Sequence, residues 1–107
     1  MSLVMPLLVV SAVPERERVR VRAAGELDLS TVGLLRDQVA ELIDLGWRDL
    51  LVDLREVTFM DTSGVHLLLE ADDRARSAAV RLGIVLEGGP VEDVLKITGV
   101  DRLLPLH

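Results

Sequence analysis

Cysteine is absent from the 107 residues. Disulfides, thiolate metal sites and a cysteine nucleophile are therefore excluded, and the composition is compatible with the reducing cytosol. Aromatic side chains are nearly missing, with one tryptophan, one phenylalanine and no tyrosine. That argues against base-stacking platforms and against carbohydrate binding on aromatic faces. Positive charge is in short supply too: 12 Lys and Arg face 18 Asp and Glu, a formal net charge of −6, and Lys96 is the only lysine. Proteins that grip nucleic-acid backbones carry a basic footprint, so direct nucleic-acid binding is not expected. No apolar run is long enough to cross a bilayer. The N-terminal "MSLVMPLLVVSAV" (Met1–Val13) has no positive n-region and is interrupted by Pro6. It reads as a buried first strand and not as a signal peptide or membrane anchor.

What is present is a chain whose residues are 50% hydrophobic, enough for one domain over residues 1–107 with a real core. "LLVVSAV" (Leu7–Val13) reads as a strand, "PERE" as a turn, and the strictly alternating "RVRVRA" (Arg18–Ala23) as a strand with one wet face. The two are expected to pair as a hairpin at a sheet edge, with the arginine row a solvated face. "TVGLLRDQVAELIDLG" carries a helical apolar stripe through Val32, Leu35, Val39, Leu42 and Ile43, with Asp28, Ser30 and Thr31 as candidate N-caps and Gly46 as its stop. "RDLLVDLREV" is a continuous apolar run suited to an interior strand. A second helix follows "DTSG", then the strand "RLGIVLEGG", a helix opening at Pro90 and stopping near Gly99, and a last short extended piece, "DRLLPLH", held to an edge by Pro105. The order β-β-α-β-α-β-α-β predicts an α/β fold, a mixed four- to five-stranded sheet with a parallel centre. Functional groups in such sheets gather where strands end and helices begin.

Asp61-Thr62-Ser63-Gly64 is such a place. Ser63 stands just ahead of a helical stripe and reads as its N-cap, which accounts for one hydroxyl but not for Thr62 or Asp61. Gly64 removes bulk beside the hydroxyl. A helix N-terminus tolerates negative charge, so the turn is a plausible acceptor for a phosphoryl group. A hydrolytic trio of Ser63, His66 and Asp61 can be drawn, but it has no means of orienting the histidine and no oxyanion hole, and Gly-x-Ser-x-Gly is absent. His66, Glu70 and Asp73 have helical spacing for a metal but read as an ordinary wet face. No cofactor, metal or enzymatic activity is expected.

"GELDLSTV" (Gly25–Val32), followed by "VDLREVTFMDTSGVHLLL" (Val52–Leu69), resembles the STAS domains, and among them the bacterial anti-sigma factor antagonists. The resemblance runs over nearly the whole chain and implies a STAS-like fold. It also implies a cytoplasmic regulator that works by partner switching. The unmodified antagonist binds an anti-sigma factor that is also a serine kinase, phosphorylation in the Asp-(Ser/Thr)-Ser-Gly turn releases it, and a phosphatase resets it. By position the acceptor is Ser63, with Thr62 as the alternative. Asp61 supports the turn beside Gly64, and Asp28 lies close by on the partner surface. The chain departs from relatives at His66 and in the acidic "EADDRAR". STAS domains also serve in lipid-transport and stress-signalling complexes, which leaves a binding subunit of such a complex as the other reading.

Overall fold

The computed structural model describes residues 6–107. The expectation placed on Met1–Met5 lies outside the described residues. The elements are β1 (Leu8–Glu15), β2 (Arg18–Leu27), α1 (Val32–Asp44), β3 (Asp49–Met60), α2 (Thr62–Ser77), β4 (Arg81–Val85) and α3 (Gly89–Thr98). They build a four-stranded sheet in the order β1-β2-β3-β4. β1 pairs antiparallel with β2, while β2–β3 and β3–β4 are parallel, as the sequence pattern predicts. The last extended piece is present in reduced form. Val100–Arg102 is a 3-10 turn, and beyond it a single parallel bridge joins Leu106 to Ile84. Pro105 has no N–H for a longer ladder.

Register explains the core. Val19, Leu50 and Leu82 lie abreast, as do Val21, Val52 and Ile84. All six are buried and join the apolar stripes of α1 and α2 in one cluster. Right-handed β-α-β crossovers put those two helices on the same face of the sheet. Leu50 to Leu54 are all buried, in keeping with the unbroken run in the sequence. β4 pairs with the Asp49–Asp53 half of β3, and α3 packs against β3.

The first strand departs from the expectation of burial. In β1 only Leu8 is buried, with Val10 partly covered. The strand stands at the sheet edge, where the helices reach little of it. The arginine row of β2 is wet, as expected, but also neutralised within the fold. Arg20 donates to Glu15 and to Asp53 at 3.0 Å each, and Arg22 donates to Glu56 at 3.1 Å.

Candidate functional site

Two loops meet at the C-terminal ends of the parallel strands. β2 ends at Leu27 and β3 at Met60, and these residues are register partners. The Asp61 N–H donates to the Leu27 carbonyl at 3.3 Å. Asp28 and Asp61, each one residue further on, therefore start neighbouring loops, and the fold brings the two sequence elements together.

The first loop holds itself in shape. A Cβ on Gly25 (φ +120°) would collide with the Leu7 carbonyl, so the position suits only glycine. The Glu26 N–H donates to that carbonyl at 2.7 Å. The buried Thr31 hydroxyl donates to the Glu26 carbonyl at 2.7 Å and accepts from the Asp28 N–H at 2.9 Å. Thr31 is the N-cap residue of α1, but its side chain makes no cap bond. The Asp28 carboxylate accepts from the Ser30 hydroxyl at 2.7 Å and the Ser30 N–H at 2.9 Å. These bonds, the Ser30 hydroxyl foremost, hold its pKa below the usual carboxylate value.

The second loop corrects one reading of the sequence. The N-cap of α2 is Asp61, not Ser63. Asp61 has extended backbone (φ −105°, ψ −171°), and its Oδ1 accepts from the Ser63 N–H at 2.9 Å. An N-cap must have non-helical backbone while its side chain reaches one of the first free N–H groups. Ser63 already lies inside the helix and supplies the capped N–H. Its hydroxyl makes no hydrogen bond among the described residues, and the side chain is half-buried at the helix N-terminus. Thr62, beside it, is exposed. Gly64 is buried because Met60 fills the space a side chain would need. An added Cβ would meet Met60 Cγ, with Sδ at 2.8 Å and Leu27 Cδ2 at 3.4 Å.

Apolar surface flanks these loops, which sequence reasoning did not single out. Leu29 is 79% exposed on the first loop, and Phe59, close to the end of β3, is 47% exposed. His66 is exposed on α2. Asp61 is engaged by the Ser63 amide, and Glu70 accepts from Arg36 of α1 at 2.7 Å. Among the described residues no group of three His, Cys, Asp or Glu could hold a metal ion, and no helix is long and apolar enough to cross a membrane.

Asp53 is the other residue that the sequence did not mark. It is buried in the centre of β3. Its two oxygens accept from the Arg55 side chain at 3.0 and 2.8 Å, and from Arg20 at 3.0 Å. The Arg55 guanidinium chiefly, with Arg20, pulls its pKa down to about 2. Its position in the middle of an apolar run was the available signal, since a buried carboxylate needs partners.

Residues 11–105 match the family described as "Mlab, STAS domain". The anti-sigma-F factor antagonist RsfB of Mycobacterium tuberculosis is 26% identical over 82 residues, which is 77% of this chain. The chain spans 66% of that protein's length. Among solved structures, an anti-sigma factor antagonist from Mycobacterium paratuberculosis superposes with a TM-score of 0.84 at 21% identity, covering 94% of this chain and 85% of the other. The anti-sigma factor antagonist SpoIIAA in its unphosphorylated form superposes at 0.75 with 25% identity, covering 92% and 86%. These relatives are anti-sigma factor antagonists by name. The match over most of the chain, on a fold shared with these proteins, makes the chain a member of the STAS domain family.

Proposed function

We propose that the chain is an anti-sigma factor antagonist that binds an anti-sigma factor with serine kinase activity and is released when Ser63 is phosphorylated. One observation carries the reading. Asp61 caps α2, which leaves the Ser63 hydroxyl uncommitted at a helix N-terminus. A hydroxyl spared from capping can be modified without unmaking the helix. The names of the relatives support the same reading, and SpoIIAA has been solved in both an unphosphorylated and a phosphorylated form.

In the proposed reaction the Ser63 Oγ attacks the γ-phosphorus of ATP bound by the kinase. The bond to the β–γ bridging oxygen breaks, ADP leaves, and the hydroxyl proton passes to a base on the kinase. The phosphate adds about −1.5 to −2 charges and three acceptor oxygens. The helix N-terminus offsets part of this charge, while the Asp61 carboxylate opposes it. A partner docked over the turn then meets new bulk and charge. A penalty of ~3 kcal/mol would weaken binding more than a hundredfold. Asp28, Leu29, Phe59 and Thr62 form the surrounding contact surface in this reading, with Asp61 and the buried Gly64 supporting the turn from within. A phosphatase resets the switch, and the protein works in the cytoplasm.

A second reading is a STAS subunit of a lipid-transport or stress-signalling complex, in which the same turn only docks. The family match is to STAS domains at large and does not by itself select the antagonist role. Phosphosite mapping after incubation with a candidate kinase and ATP separates the two. Label on Ser63, lost in Ser63→Ala, is expected. Undiminished label in both Ser63→Ala and Thr62→Ala sinks the switch, and no label with any candidate kinase favours the second reading.

A further inference from the structure

The two edges of the sheet are finished differently. On the β4 side the chain closes its own edge: the Ile84 N–H donates to the Pro105 carbonyl at 3.0 Å, and the His107 N–H donates to the Ile84 carbonyl at 2.8 Å. On the β1 side no described residue covers the edge. Natural edge strands are usually guarded by charges, prolines or bulges. From Leu8 to Val13 β1 has no charge, proline or glycine; Pro14 comes only towards its end. Its register against β2 is unbroken. Leu7, Val9 and Val13 are 54%, 52% and 44% exposed.

The hydrogen-bond parity of this edge is fixed by the ladder. The Glu26 N–H donates to the Leu7 carbonyl, so in the antiparallel register Val9, Ser11 and Val13 point their backbone groups towards β2. The N–H and C=O groups of Leu8, Val10 and Ala12 therefore point outward.

We propose that β1 is a self-association edge, where two copies of the chain pair β1 against β1 antiparallel about a two-fold axis at Ser11. That register makes the strand complementary to itself. Val10 of one copy faces Ala12 of the other, and both present outward N–H and C=O groups. Val9 faces Val13, so exposed apolar side chains meet. Leu8 faces Pro14 and donates to its carbonyl, while the missing proline N–H falls at the rim. About six backbone hydrogen bonds result, counting an exchanged pair for each facing Val10 and Ala12. Charge favours this edge over others. A chain of net charge −6 repels its copy, but here the contact is uncharged, and Glu15 at its end is already engaged by Arg18 and Arg20.

The contact is a narrow strip about 20 Å long, well below the ~1,200 Å² of a standard interface. The pairing is accordingly weak and concentration-dependent. It involves the opposite side of β2 from β3, leaves the Ser63 turn free, and does not depend on the function proposed for that turn.

The test is analytical ultracentrifugation of the full chain from ~10 μM to ~1 mM, a range suited to a weak interface. A reversible monomer–dimer equilibrium is expected. Ser11→Lys and Ser11→Glu each place like charges directly opposite across the axis, which is destabilising in a cross-strand pair. Each should weaken the dimer at least ~10-fold, equivalent to ~1.4 kcal/mol. An equimolar mixture of the two should form a salt-sensitive heterodimer. Ser11 is exposed, so thermal melts should match wild type. Wild type that stays monomeric at ~1 mM overturns the proposal and leaves the edge to a strand of another protein. A dimer indifferent to both charges overturns it by assigning association to another surface.

Discussion

Replacing Asp61 by alanine should destabilise the protein, whereas replacing Ser63 should not, although both residues are good capping types. Asp61 Oδ1 accepts from the Ser63 N–H at 2.9 Å. Loss of an N-cap side chain costs about 0.5–2 kcal/mol, and the carboxylate's favourable place at the positive end of the helix dipole adds about 0.3–1 kcal/mol at an exposed site. The Ser63 hydroxyl makes no bond among the described residues, and alanine is the better helix former. Its removal should change stability by within about 0.5 kcal/mol. For a domain of this size 1 kcal/mol moves Tm by about 4 °C or more. Thermal unfolding followed by circular dichroism should place Asp61→Ala about 3–12 °C below wild type and Ser63→Ala within about 2 °C of it. Asp61→Asn, which keeps the accepting oxygen, should recover most of the loss. If Ser63→Ala melts as low as Asp61→Ala, the serine is the cap after all, and its hydroxyl is not spare.

Other outcomes follow from the buried carboxylate and the exposed apolar pair. The folded pKa of Asp53 is about 2 against an ordinary 3.8. It is depressed, so its contribution is fully present above pH ~4 and is lost as pH falls through ~2. The gap corresponds to about 2 kcal/mol. Urea unfolding at pH 6 should find Asp53→Asn less stable by about that much or more, with the difference shrinking towards pH 2.5; a pH-independent difference would count against the ion pairs with Arg55 and Arg20. Leu29→Asp and Phe59→Asp alter exposed residues and should leave stability within about 0.5 kcal/mol of wild type. Each should weaken binding of a cognate anti-sigma factor by at least ~1 kcal/mol, read by calorimetry; unchanged affinity in both would remove these residues from the contact surface.

The order of elements was legible because apolar periodicity changes cleanly from alternating in "RVRVRA" to helical from Val32 onward. The mixed topology followed from a hairpin preceding two β-α-β units. Three things were not legible, each for a physical reason. Aspartate, threonine and serine all make good caps, so composition could not choose among Asp61, Thr62 and Ser63; only the extended backbone of Asp61 does. A short apolar run such as β1 has the same composition at an edge as in an interior, and its exposure depends on where the helices reach. The partners of Asp53 are local in one case, Arg55, but the other, Arg20, comes from a neighbouring strand. "GELD" was legible as a marker of the fold. Its aspartate is held by Ser30 two residues on, a local bond, but its glycine answers to the Leu7 carbonyl just ahead of the neighbouring strand, a contact that no local pattern reveals.

If modification of Ser63 switches binding, titration calorimetry will read the switch as a change in affinity. The chain, unmodified and stoichiometrically phosphorylated on Ser63, would be titrated with the same candidate anti-sigma factor, with a thermal melt confirming that both forms are folded. The unmodified chain should bind tightly, and phosphorylation should weaken binding by more than about a hundredfold, ~3 kcal/mol. Equal affinities for the two folded forms would mean that Ser63 is not the switch.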